Sequence, residues 1–289
     1  MWFRPRLLSN ACDTRKPVAA LKRTYSVVVI DDVAVPRRAV GGVPFTVMPL
    51  KDAIDKIVAF GTECPDNGVA VHFANAYNVA LADSDPAYAA LLSAGDLVFT
   101  DGIPVAWVGR RLHRDVASQW SRVYGPDVLA GVLELSNMEM PRHYFLGATP
   151  ETLDALVSRI QSRWPEAVIA GFESPPFRTA SAEELVERDK RIMESGATLV
   201  WVGLGTPKQD QEVRRIADSV PVTALAVGAA FDFLAGTKAQ APLWMQRSGL
   251  EWAFRLATEP RRLARRYLWG NPRFVIAAIR HRRETVMTA

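Results

Sequence analysis

At 289 residues, with 49% hydrophobic and 23% charged side chains, the chain has the makeup of a folded soluble protein, long enough for one large α/β core or two small ones. That composition excludes intrinsic disorder, and no apolar run approaches the ~20 residues that a membrane span needs. Two distant cysteines, Cys12 and Cys64, exclude a disulfide framework or a zinc site, and Arg4 and Arg6 precede no apolar signal segment, so a reducing cytoplasm is expected.

Residues 1–40 carry scattered Arg, Lys and Pro and read as a loose arm, with a short strand at Ser26–Ile30. The α/β core is expected over 41–242. Val43–Val47 reads as a strand and Leu50–Phe60 as a helix. Gly68–Phe73 is a strand ending at Asn75, followed by helices over Ala76–Ala82 and Pro86–Ala94. Asp96–Thr100 is a strand ending at Asp101-Gly102, followed by helices over Ile103–Leu112 and Pro126–Leu135. His143–Leu146 and Val168–Gly171 are strands, and Pro150–Trp164 and Glu183–Ser195 are helices. Ala197–Val202 is a strand buried on both faces, with a helix after it to about Ser219, and Val222–Val227 is the last strand. This alternation argues for a mostly parallel, Rossmann-like sheet with helices on both faces and ligands at the strands' carboxyl ends.

After Gly236 the alternation stops. Residues 243–289 read as a basic helical appendage: a helix over Trp244–Ala257, a break at Glu259-Pro260, a helix over Arg261–Gly270, a break at Asn271-Pro272, and a last helix over Arg273–Arg283. From Glu251 onward nine arginines face three glutamates, a net of +6, so the preceding 250 residues carry −2 of the overall +4. Arginines mixed with Trp, Tyr and Leu at helical spacing suit an anionic membrane surface. The plainer reading is a C-terminal helix docked on the core with a solvated basic face. No nucleic-acid motif is present.

Four stretches stand at strand ends or before helices. Gly203-Leu204-Gly205-Thr206-Pro207 breaks a strand, and Thr206 would cap a helix whose first residue is Pro207, offering backbone N–H groups to a phosphate with Lys208 beside them. It is equally an ordinary βα turn, and Lys208 stands where a dinucleotide fingerprint needs its third glycine. Asp101, at the mouth of a buried strand, suits a general base, or simply caps the helix at Ile103. Arg122 is either a phosphate clamp or a surface arginine. Asp83 and Asp85 match a metal-binding Asp-x-Asp but read as helix capping, and the four histidines have no ligand spacing.

Taken in order, these pieces resemble the WecG/TagA/CpsF family of bacterial glycosyltransferases over roughly Val43 to Arg266. The resemblance rests on Asn75-Ala76, Asp101-Gly102, Arg122 with Gly125 and Asp127, and Tyr144-Phe145-Leu146-Gly147. It continues through Gly203-Leu204-Gly205 with Pro207-Lys208-Gln209, Gly228 with Phe231-Asp232, Gly236 with Ala241-Pro242, Gly249-Leu250-Glu251-Trp252, Arg255, and Glu259-Pro260 with Arg262. It implies inverting, metal-independent transfer of an N-acetylmannosamine-type sugar from a UDP donor to a polyprenyl-pyrophosphate-linked saccharide in cell-envelope or exopolysaccharide synthesis. No cofactor is implied. The protein would sit on the inner face of the plasma membrane, with homo-oligomerisation left open.

By motif position, Asp101 would be the base, with Asn75 and Gln209 completing the catalytic group. Arg122, Gly203, Gly205, Pro207, Lys208, Gly228 and Asp232 would line the donor site. Arg255, Arg262 and Arg265 would hold the donor or lipid pyrophosphate. Phe73 stands where the family often has Thr, Asp210 where it has Glu, and Gln240 where it has Arg, which leaves an inactive nucleotide-sugar or anionic-lipid binding module as the alternative. A nicotinamide oxidoreductase ranks below both.

Overall fold

The computed structural model describes residues 35–282 apart from Cys64 and Glu139; the expected arm up to residue 34, with its strand at Ser26–Ile30, lies outside the described residues. The residues assigned to the end of that arm do have structure. Arg37–Val40 (β1) pairs antiparallel with Val43–Thr46 (β2) across Gly41 and Gly42, whose φ values of +60° and +82° no other residue type adopts as readily.

The main sheet has six strands, all parallel: β3 (Val69–Ala74), β4 (Leu97–Thr100), β5 (Arg142–Gly147), β6 (Val168–Glu173), β7 (Leu199–Gly203) and β8 (Thr223–Ala226). Their spatial order is β4-β3-β8-β7-β5-β6. Burial on both faces follows from the two-residue period of a strand. In β7, Leu199 and Trp201 enter one apolar cluster with Phe60, Phe145 and Leu225, while Val200 and Val202 enter another with Val213 and Ile216. Trp201 Nε1–H donates to His143 Nδ1 at 3.0 Å, and burial pushes His143 down to about 3, so this histidine is a neutral core residue.

One face carries helices α1 (Leu50–Glu63), α5 (Gly125–Leu135), α6 (Pro150–Arg163) and α9 (Ala230–Ala235). The short α9 was not expected from the sequence, because six residues give too little periodicity to read. On the other face stand α7 (Ala182–Glu194) and α8 (Lys208–Ser219). A third cluster joins the hairpin to α2 (Ala76–Ser84), α3 (Pro86–Ser93) and α4 (Ile103–Leu112).

The appendage departs from its expected breaks. Trp244–Ala257 is divided into α10 (Leu243–Arg247) and α11 (Glu251–Thr258) by Gly249, at φ +71°. Conversely, α12 runs unbroken from Pro260 to Arg280 through Pro272. Proline removes one N–H and would ordinarily end a helix. Here Pro272 sits on the exposed side, and the flanking Gly270, Phe274 and Ala277 are buried as α12 packs along α2. Packing on both sides of the proline outweighs one missing hydrogen bond.

Asp85 caps α3 as expected, accepting from the Ala87 and Tyr88 N–H groups. Asp83 does something else. Its side chain, 1% exposed, meets Arg280 at 2.8 Å and Arg273 at 3.2 Å, fastening α12 to the end of α2. Both carboxylates are thereby occupied. Among the described residues no group of three or more His, Cys, Asp or Glu could hold a metal.

Candidate active site

The carboxyl ends of β3, β4, β7 and β8 open into a cleft of about 270 Å³, which α11 and α12 roof with Arg255, Arg262 and Arg266. A smaller cavity of about 90 Å³ adjoins it between α4, α11 and α12, and shares Asn75, Asp101, Tyr124, Arg255 and Arg266 with the first.

Asp101 stands where the two cavities meet. Its expected capping role at α4 is not observed, because Gly102 is the N-cap residue and makes no side-chain bond. Instead, Asp101 Oδ1 accepts from the Gly125 N–H at 3.0 Å, at the start of α5, and Oδ2 faces Asn75 Nδ2 at 3.4 Å. Asn75 also caps α2, its Oδ1 accepting from Tyr77 N–H at 3.0 Å. Phe73 lines the cleft while its ring packs on Phe99 at 5.6 Å, so the floor beneath Asp101 is apolar.

The turn after β7 also departs from expectation. Thr206 makes no cap bond; the helix begins at Lys208, with Pro207 in the capping position. Gln209 does the work instead, its Oε1 accepting from Gly205 N–H at 3.0 Å and its Nε2 donating to Ala226 carbonyl at 3.1 Å. Buried Gln209 thus ties the turns after β7 and β8 together. Gly203 is required sterically, since a Cβ there would lie 2.7 Å from the Phe231 ring. Gly203, Gly205, Gly228 and Asp232 line the cleft as expected, and Asp232 pairs with Lys238 at 2.9 Å. Pro207 is not in the cleft wall, and Lys208 points into a neighbouring groove with Pro175, Phe177 and Arg178.

Arg122 is not an open phosphate clamp. Its Nε–H donates to Asp101 carbonyl at 3.2 Å, one Nη to Gln246 Oε1 at 3.1 Å, and the other pairs with Glu251 of α11. Its guanidinium lies 3.6 Å over the Tyr124 ring, and Tyr124 O–H donates to Glu251 at 2.7 Å. Burial pushes the Glu251 carboxyl above its ordinary range, opposed by the Arg122 charge, and pushes the Tyr124 phenol upward too. Arg122 therefore fastens the appendage to the site.

The available cations lie elsewhere. Arg262 is shared with Glu259, which also attracts Lys238 at 3.7 Å. Arg255 and Arg266 each keep a buried Nε with no hydrogen-bond partner among the described residues. Burial lowers the Arg266 pKa, and its guanidinium rests 4.2 Å over the Tyr77 ring. Arg265, expected in the site, is exposed and outside both cavities. Continuous helical spacing through Pro272 explains the exchange: Leu263, Arg266, Gly270, Phe274 and Ala277 share the inward face, and Arg265 does not. Gln240 is exposed and outside the cleft.

The fold and cleft define a Rossmann-like α/β protein in which Asp101, Arg255 and Arg266 converge at the strand ends. The chain belongs to the glycosyl transferase WecG/TagA/CpsF family, whose profile matches residues 38–287. It is 29% identical over 200 residues to the N-acetylglucosaminyldiphosphoundecaprenol N-acetyl-β-D-mannosaminyltransferase of Bacillus spizizenii, covering 69% of this chain and 74% of that one. The protein of the same name from Bacillus subtilis is 28% identical over 202 residues, covering 70% and 74%.

Proposed function

We propose that the protein is an inverting, metal-independent glycosyltransferase that moves an N-acetylhexosamine-type sugar from UDP to a polyprenyl-diphosphate-linked saccharide. The observation that carries this reading is the convergence of Asp101 with Arg255 and Arg266 on one cleft. Asp101 takes the proton of the acceptor hydroxyl as that oxygen bonds to the anomeric carbon, and the bond to UDP breaks with its electron pair leaving on the diphosphate. Asn75 and the Gly125 N–H hold the carboxylate. Arg255 and Arg266, with Arg262 at the rim, compensate the departing negative charge. Gln209 keeps the turns around the sugar in place, and Asp232 and Gly228 lie against the nucleotide.

The smaller cavity takes the acceptor, because the residues it shares with the cleft mark where two substrates would meet. The charge balance favours a neutral sugar: Arg255 and Arg266, each with an unpartnered Nε, would face one diphosphate, and a uronate would face Asp101 with Arg122 already committed to Glu251. The names of the Bacillus relatives agree with a neutral N-acetylmannosamine and a lipid-diphosphate acceptor.

No helix among the described residues is long and apolar enough to cross a membrane. The outer side of α12 exposes Leu268, Trp269, Val275, Ile276 and Ile279 beside Arg261, Arg265 and Arg280, which suits peripheral attachment to an anionic leaflet, by this reading the inner face of the plasma membrane. UDP release from UDP-N-acetylmannosamine, given a short-chain prenyl-diphosphate-N-acetylglucosamine, tests the reading. Turnover should persist in EDTA, and Asp101→Asn should lower kcat about 100- to 10,000-fold with UDP binding kept. Loss of activity in EDTA restored by Mn²⁺ would sink the metal-free mechanism. UDP binding without turnover on any lipid-linked acceptor would favour a binding module instead.

A further inference from the structure

A buried polar chain runs from the first turn of α8 to the reacting carboxylate and plays no direct part in the chemistry above. Asp210, fully buried, meets His72 Nδ1 at 3.1 Å through Oδ1 and accepts from Tyr88 O–H at 2.9 Å through Oδ2. Asn78 Nδ2 donates to the Tyr88 oxygen at 2.7 Å, and Asn78 Oδ1 accepts from Asn75 N–H at 3.1 Å. Asn75 then reaches Asp101. We propose that Tyr88, Asp210 and Asn78 are positioning residues for Asp101, acting through the backbone of Asn75.

Donor chemistry gives the chain one direction. Tyr88 has a single O–H proton, and it is donated to Asp210 Oδ2. Burial raises the Tyr88 phenol pKa, aided by Asp210, and keeps that proton in place. Tyr88 oxygen must then accept, so Asn78 presents its NH₂ to Tyr88 and its carbonyl to Asn75. That bond holds Asn75 at φ −114° and ψ −174°, where Oδ1 caps Tyr77 and Nδ2 is left for Asp101. The chain links three helices and two strand ends. Buried networks of this kind lose alignment when one member is removed, because each remaining group must find another partner or go unpaired. The same turn of α8 carries Gln209, so one element fixes both sides of the cleft.

The proposal rests on Asp101 as the base, and its test separates the two ideas. Asp101 is faced by Asn75 from α2, Arg122 and Tyr124 from the preceding loop, Asp127 from α5, Glu251 from α11 and Arg266 from α12. Only the first is changed by the variants. Tyr88→Phe should lower kcat about tenfold with the donor KM changed less than about twofold. Asn75→Ala should lower kcat in the same way, and the double variant should be no slower than Asn75→Ala alone.

Multiplying effects, or a Tyr88→Phe enzyme with lower Tm but unchanged kcat, would overturn the proposal. Asn78→Ala cuts the same link with a better helix former and is held to the same criteria; failure of both variants to fold would make the chain a core element and also overturn it. Amide exchange at Asn75 needs no turnover. Tyr88→Phe should speed it, an unchanged rate overturns the idea, and absence of wild-type turnover counts against the proposed function alone.

Discussion

Arg266 combines a place in the cleft wall with a cost to the fold. A buried guanidinium N–H without a hydrogen-bond partner is expensive, and natural chains keep such a group where a ligand supplies what is missing. Arg266→Met conserves the apolar stem and removes the desolvation cost. We expect it to raise Tm by a few degrees without ligand, in the range for about 1 kcal/mol of gain, and to lower kcat/KM for the donor at least 100-fold. Thermal unfolding with and without UDP checks both, since UDP should stabilise the wild type more than the variant. A lower Tm in the variant would mean that Arg266 is a structural residue. Arg265, one position away and exposed, serves as the control: Arg265→Met should leave donor kinetics within about threefold, at the level of a solvated charge.

Among the elements, α12 decides whether the cleft is complete. Ion pairs hold the appendage at both ends: Arg122–Glu251 and Lys238–Glu259 near the site, and Asp83 with Arg273 and Arg280 at the far end. Asp83 is the more buried, but Arg273 and Arg280 are 37% and 57% exposed, so losing the pair costs less than breaking a fully buried one. Asp83→Asn should therefore loosen α12 from α2, seen as faster amide exchange over 260–280 and a raised donor KM, with the β3–β8 sheet as protected as before. Protection of α12 at the wild-type level would show that Phe274 and Ala277 hold it by packing alone. The helix pattern of the core was legible from the sequence because each helix carries its own apolar period and turn residues. The appendage was not, because Pro272 and Gly249 act locally in opposite senses to their usual weight once Phe274, Ala277 and Gly270 are buried against α2.

The whole molecule separates a weakly acidic α/β core from a cationic, partly apolar roof. The exposed residues Leu268, Val275, Ile276 and Ile279 recur at helical spacing on the side of α12 away from the cleft. Substituting Leu268, Ile276 and Ile279 together by Gln should reduce binding to phosphatidylglycerol vesicles about tenfold or more. Turnover on a short, soluble prenyl-diphosphate acceptor should be kept. Equal vesicle binding by the triple variant would place membrane contact on another surface, and loss of turnover on the soluble acceptor would mean that these side chains support the roof itself.

The sequence by itself determined the parallel α/β core, the strand ends at Asn75, Asp101, Gly203 and Gly228, and the basic character of the last forty residues. All of these depend on local periodicity and on residues such as glycine and asparagine whose roles are local. Only the tertiary structure decided which charges meet. Two arginines adjacent in sequence project about 100° apart around one helix, so Arg266 enters the cleft and Arg265 does not. Arg122 finds Glu251 across 129 residues and is held by it, and Asp210 reaches Tyr88 across 122. Pairing at such separations depends on how helices dock, and no pattern along the chain records it.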